Sequence, residues 1–240
     1  MPSENGGSVR VFNEIINYEV RYSEDATQPR IDVDIYGVTV VLPVETDIDA
    51  QELVDDNARW ILKKWRKYEE HLEQAPSRRF EPGEAFPYRG NDLSIKVRDV
   101  DESHVTEDAF VLSADAVDDS GIRDTLEELY RCEARSLFQF RIKYYADQMG
   151  VTPGKLELRN QRTRWASCSP QRTLSFNWRL VMAPDDVIDY VVVHELAHLR
   201  EQNHTRRFWS IVRKFDPEYE THIDWLTENS SKLIFTKNDL

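Results

Sequence analysis

Apolar positions along the chain change period several times, and each change marks an element. Between 17 and 44, NYEVRYSEDATQPRIDVDIYGVTVVLPV alternates β-branched and polar residues in short runs broken by polar turns. That period of two predicts two or three antiparallel strands. Leu53, Ala58, Trp60, Ile61, Leu62 and Trp65 then recur at roughly helical spacing behind Asp47 and Asp49, either of which suits an N-cap. A helix over about 49–74 is expected. APSRRFEPGEAFPYRG, punctuated by Pro and Gly, reads as a loop, and NDLSIKVRDV with EDAFVLSAD reads as a β-hairpin. A long amphipathic helix is predicted from about Gly121 to Met149, closed by Gly150 and Pro153. KLELRN and TLSFNWRLV read as strands around the turn SCSPQR. Pro184 and Asp185 open another helix, a last one starts near Thr205, and a further segment covers about 217–235. No internal repeat is visible. The order is that of an α+β chain. Residues 1–115 form an antiparallel, β-rich part with one helix, and 116–240 a second domain of long helix, small sheet and further helices.

Composition changes this picture little and charge changes it more. At 40% apolar residues the chain can bury a real core, and its formal charge of −13 argues against a surface generally coated by nucleic acid. Cys132 and Cys168 are the only cysteines, so no disulfide framework is implied and a reducing compartment is expected. The start, MPSENGGSVR, lacks the apolar run of a signal peptide, and no run approaches the ~20 residues that cross a bilayer. The expectation is a cytoplasmic protein without a membrane partner. The charge is uneven. Residues 151–240 carry 13 Lys and Arg against 12 Asp and Glu, which leaves a balance of −14 on 1–150. From Leu158 to Pro184 there are five arginines (Arg159, Arg162, Arg164, Arg172, Arg179) and no acid.

The chemistry concentrates in YVVVHELAHLREQNHTRRFW, residues 190–209. Val187, Ile188, Val191, Val192, Leu196 and Ala197 make the segment a mostly buried helix. Residues four apart on a helix lie about 40° apart around the axis, so His194 and His198 can present imidazoles to one point. Unpaired polar groups on a buried helix are expensive, so the pair needs a partner. Zinc takes nitrogen and carboxylate ligands and, when catalytic, keeps one position open for water. Glu195 lies about 100° round the axis, too far to ligate easily but placed to act as a general base on that water.

The third ligand is less direct. On a continued helix Glu201 would lie about 20° from His194, facing the metal, while His204 would sit about 80° away and about 9 Å above His198. His204 can ligate only if the helix stops and the chain turns back. Metzincin proteases make that turn with a glycine, where this chain has Glu201. Asn203 can take its place, because Asn tolerates the left-handed conformation. Thr205 is then an N-cap for the helix that starts RRFW. The helix is expected to end near Gln202, and His204 is favoured over Glu201.

RWASCS (164–169), NWRLVMAP (177–184), IDYVVVHELAH (188–198) and NHTRRFW (203–209) together resemble the YgjP-like metal-dependent hydrolases, a branch of minimal zincins. GEAFPYRG (83–90) resembles the family more weakly. The resemblance implies a minimal zincin-like domain over 116–240, Zn2+ at His194, His198 and His204, and Glu195 as catalytic base. The chain departs at Ala166, where the family more usually has glycine; a methyl there tightens the turn or narrows the cleft beside the metal.

Trp165 and Trp178 are expected to pack under the active-site helix, Phe208 and Trp209 to anchor the helix behind His204, and Cys168 to serve a turn or the core. His71, His104 and His222 lack ligand spacing. The expected function is zinc-dependent hydrolysis of peptide or protein substrates, laid along TLSFNWRLV or KLELRN as an edge strand. The alternative keeps the metal and uses the arginine-rich 158–184 segment for phosphate. The chain would then be a nucleotide phosphohydrolase or a protease of DNA-bound proteins, as in the related SprT and WLM zincins. Oligomeric state is not legible.

Overall fold

A computed structural model describes residues 6–12, 14–23, 26, 28–34, 37–73, 76–160, 165–202 and 204–234. The described residues form two compact units, 6–73 and 76–234. No described helix is long and apolar enough to cross a membrane.

In the first unit, β1 (Gly6–Val11), β2 (Glu14–Ser23), β3 (Arg30–Asp34) and β4 (Gly37–Pro43) form one sheet in the order β1-β2-β4-β3. Val9 and Val11, Ile16 and Tyr18, and Val38, Val40 and Leu42 recur every second residue and are buried together. They pack against Val54 of α1 (Ala50–Asp56) and Ile61 and Leu62 of α2 (Ala58–Glu73). Asp49 caps α1, accepting the Gln51 N–H at 2.7 Å. The single helix expected over 49–74 is broken at Asn57, whose side chain donates to the Leu53 carbonyl at 2.8 Å. The strands are not all antiparallel as expected. β2 and β4 run parallel, because β3 is inserted between them in sequence and takes the outer side of β4.

The second unit begins with β5 (Ala85–Tyr88), β6 (Asn91–Arg98), β7 (His104–Val105) and β8 (Ala109–Ser113), in the order β5-β6-β8-β7. The hairpin expected between NDLSIKVRDV and EDAFVLSAD does not form; β6 and β8 pair parallel. The antiparallel partner of β6 is β5, inside the stretch that read as a loop. A two-residue turn joins them, Arg89 (φ 48°) and Gly90 (φ 80°), both in the left-handed region that such turns require. A Cβ on Gly90 would lie 3.1 Å from the Pro184 Cα, so glycine also permits a close approach.

α3 (Ala114–Met149) starts earlier than expected and is broken at Gly121 (φ 83°), where the sequence placed its start. It ends as expected, with Gly150 at φ 61°. A small sheet follows, β10 (Ala166–Cys168), β11 (Leu174–Asn177) and β9 (Leu156–Arg159) in the order β10-β11-β9. β11, expected as an edge, is central, and Trp178–Met182 leave it as a 3-10 turn. Then come α4 (Asp185–Ala197), α5 (Arg206–Phe215) and α6 (Tyr219–Asn229).

α4 is fixed at both ends. Arg89 forms a two-bond pair with Asp185, at 2.8 and 2.6 Å, and the turn N–H groups of Arg89 and Gly90 donate to the carbonyls of Val181 and Met182. On α3, Arg141 donates to Asp189 at 2.9 Å and lies 3.3 Å from Asp185, and the Tyr145 hydroxyl reaches Asp189 at 2.9 Å. The hydrogen bond from Arg89 holds the Asp185 carboxyl below its ordinary range. Just past the other end of α4, Arg200 donates to the Met149 carbonyl at the end of α3.

Candidate metal centre

Val187, Ile188, Val191, Val192, Val193, Leu196 and Ala197 are buried, and the remaining arc of α4 carries His194 and His198, both half-buried. The Nε2 of His204 lies 3.1 Å from that of His194. One ring nitrogen from each of His194, His198 and His204 falls within 4.8 Å of the other two. Among the described residues no other three His, Cys, Asp or Glu side chains gather this closely. Nitrogen ligands at about 2.0–2.1 Å around a tetrahedral zinc ion stand about 3.3 Å apart, so the three imidazoles fit a cation held between them.

The outer ring nitrogens are occupied. His194 Nδ1 lies 3.3 Å from the Tyr190 hydroxyl, and His198 Nδ1 lies 3.3 Å from the Glu201 carbonyl oxygen. With the ring protons assigned to Nδ1 as donors to these oxygens, each Nε2 turns a lone pair toward the cluster. Burial pushes His194 down to about 3, helped by His198 and His204 nearby, and also lowers His198. Neutral imidazole is the form that binds metal.

Glu195 is 5% exposed. Burial raises the Cys168 thiol to about 11, the Glu195 carboxylate adds to the rise, and α4 packs against β10. Cys168 sits half-buried in that strand, outside the histidine cluster. Ala166, the departure from the family pattern, lies half-buried in the same strand. Among the described residues the outer strands of this sheet are β9, within KLELRN, and β10, of which Ser167 and Cys168 read as a turn; TLSFNWRLV supplies the centre, and β10 packs against α4.

α4 ends at Ala197, about one turn before Gln202, where its end was expected. Leu199 and Arg200 donate back three residues, to Leu196 and Ala197, in the tighter 3-10 manner. The His198 ring nitrogen meets the Glu201 carbonyl, three residues on. Asn203, the residue expected to make the turn, lies outside the described residues, as do Arg162 and Arg164. Thr205 caps α5 as expected, accepting the Phe208 N–H at 3.3 Å. The Glu201 carboxylate is 4.0 Å from Arg207 and stands apart from the three-histidine group.

Trp178 is fully buried, 5.9 Å from the Tyr130 ring and flanked by the Arg131 and Arg179 guanidiniums; Trp165 is half-buried. His222 is buried with its Nδ1 2.8 Å from Asp216, and His104 is exposed; neither joins the cluster, and the His71 side chain is not among those described. In the arginine-rich stretch Arg159 pairs with Glu157, and Arg179 is buried against Asn160. Arg172 is exposed (φ 66°), and its charge tempers the rise at Cys168. Sequence reasoning missed Tyr190 as the partner of His194, although it stands one helical turn earlier and that spacing was available to find it.

A family model described as YgjP-like, metallopeptidase domain, matches residues 27–229. The UTP pyrophosphatase of Escherichia coli (strain K12) is 38% identical over 53 residues, which are 20% of this chain and 31% of that relative. Two solved structures are similar over short stretches. The metallopeptidase zymogen abylysin of Pyrococcus abyssi is 22% identical with a TM-score of 0.34, covering 39% of this chain and 95% of its own. The metallopeptidase zymogen jannalysin of Methanocaldococcus jannaschii is 20% identical with a TM-score of 0.33, covering 37% and 94%. The family model spans most of the chain, the three-histidine cluster included, and this chain belongs to the YgjP-like metallopeptidase family.

Proposed function

We propose that the chain is a zinc-dependent peptidase in which His194, His198 and His204 hold the ion and Glu195 is the general base. The observation that carries this is the convergence of three imidazoles one residue from a buried glutamate. A zinc ion bound there would polarise a carbonyl and lower the pKa of a coordinated water toward ~7. Glu195 takes the proton of the attacking water and returns it to the leaving nitrogen. β10, an outer strand of its sheet among the described residues and packed against α4, would take an extended substrate alongside it, which aligns the scissile bond with the carboxylate. Tyr190 and the Glu201 carbonyl keep the protons of His194 and His198 on Nδ1. All of these residues fall in 116–240, the proposed catalytic domain. The two free cysteines fit the reducing cytoplasm expected from the sequence.

The test is metal analysis beside a screen of uncharged peptides, with Glu195→Gln as the blank. About one zinc per chain is expected, falling strongly in His194→Ala, His198→Ala and His204→Ala and little in Glu201→Ala. A damaging Glu201→Ala with a mild His204→Ala would replace His204 as third ligand.

A second reading, hydrolysis of nucleoside triphosphates at the same site, is favoured by the partial likeness to a UTP pyrophosphatase. In the 158–184 segment Arg172 is exposed and its charge acts on Cys168. Neutralising Arg162, Arg164 and Arg172 together separates the two. Turnover of an uncharged peptide stays nearly constant under the first reading. A salt-sensitive loss of triphosphate hydrolysis, with no peptidase activity in the parent, supports the second.

A further inference from the structure

We propose that Phe208 is a positioning residue that sets the spread of the three imidazoles, and through it the affinity and coordination geometry of the site. The proposal rests on the reading of His194, His198 and His204 as ligands. The Phe208 ring centroid lies 4.9 Å from that of His194, 4.6 Å from His198 and 4.7 Å from His204. The histidine rings are 5.0, 5.0 and 4.8 Å from one another. The four centroids therefore form a nearly regular tetrahedron, with Phe208 at the vertex that carries no ligand atom. Its plane is tilted 33° to His198 and stands edge-on to the other two, at 71° and 76°.

A ring in this place acts as a spacer. Aromatic pairs favour centroid separations of about 4.5–7 Å and resist closer approach, so one flat side chain fixes three distances at once. Phe208 cannot easily yield. It is fully buried, its N–H is held by the Thr205 cap, and the Trp209 ring stands edge-on to it at 5.1 Å. Trp209 in turn stacks on His204 at 5.7 Å and on Tyr219 at 5.2 Å, which holds the third histidine from its other side. His204 comes from the segment beyond α4, so the pair on α4 and the ligand before α5 have no common backbone to set their separation. Phe208 supplies that reference, and it also keeps water from one side of the rings.

The experiment compares zinc and cobalt binding by the full chain, by Phe208→Leu and Phe208→Ala, and by Val212→Ala, a control buried on the same helix one turn further on. Leucine keeps the apolar volume nearly intact and removes the rigid plane, so it tests positioning even if alanine unfolds the chain. Zinc affinity is expected to fall about 10–100-fold in Phe208→Leu, the range seen when support around metal ligands is removed. The intense visible absorption of four-coordinate cobalt(II) should weaken as the looser site admits more ligands. Val212→Ala should lower thermal stability while leaving the zinc constant and the cobalt spectrum close to those of the parent. Phe208→Leu with the parent's zinc constant and spectrum would overturn the proposal, as would an equal loss of affinity in Val212→Ala. If the parent itself binds neither metal, the three-histidine reading fails, and this inference with it.

Discussion

The sheets β1–β4 and β5–β8 share one plan. In each, the first two strands pair antiparallel as neighbours in sequence, the second and fourth run parallel, and the third pairs antiparallel on the outer side of the fourth. Helix follows in both. The difference lies at the hairpin tip. In the second sheet Arg89 and Gly90 bond to the 3-10 turn and to Asp185, so the hairpin holds the start of α4. In the first sheet the equivalent place is taken by Phe12, also left-handed at φ 55° but 74% exposed. Strand order is thus indifferent to function, and the residues at the turn decide whether a sheet becomes a support for chemistry.

The comparison breaks first if chemistry depends equally on both units. Glu195→Gln should reduce kcat about 10²–10⁴-fold, the range of a lost general base. Phe12→Ala should leave peptide turnover within about twofold, measured in the same assay.

The second expectation concerns acid. The folded His194 value falls from the ordinary 6.5 to about 3, so between these pH values the unfolded chain binds the proton more readily. Stability of the metal-free chain should be complete above about pH 6.5 and decline by a few kcal/mol as pH falls toward 3. His194→Gln should flatten that slope in urea titrations followed by tryptophan fluorescence. An unchanged slope would place the acid sensitivity elsewhere.

Smaller effects sharpen the contrast between the tips. Gly90→Ala should destabilise by roughly 1–2 kcal/mol, since φ is positive and the Pro184 Cα is close. Asparagine tolerates the left-handed region, so the same replacement should act with opposite sign at the two turns. Arg89→Asn should cost about 1 kcal/mol, because the pair it removes is partly exposed and screened. Phe12→Asn should gain a few tenths of a kcal/mol by relieving strain. Denaturation midpoints of the full chain decide both.

What the sequence revealed was local. His194, Glu195, His198 and Gly150 follow from spacing within one helix or from a single backbone conformation. The turn back to His204 was deducible because a continued helix could not deliver it, although α4 stops sooner, through 3-10 bonds and a ring-to-carbonyl contact that periodicity does not encode. The parallel pairs β2–β4 and β6–β8 were hidden, since alternation reports a buried face and not the direction of a neighbour. β10 was hidden because three residues are too short to show a period. The shared plan of the two sheets left no trace in residue identity, so no repeat was visible.

Arg141, Tyr145 and Met149 stand four residues apart on α3, and they hold Asp189 near the start of α4 and Arg200 just past its end. The site helix is in effect a beam clamped to α3 near both of its ends. If the three histidines hold an ion as proposed, His194 and His198 ride on the clamped beam, and His204 is braced separately by the rings of Phe208 and Trp209. Exchange of an ion held there should then be paced by how far the α5 rings let His204 withdraw, while the α4 pair keeps its alignment.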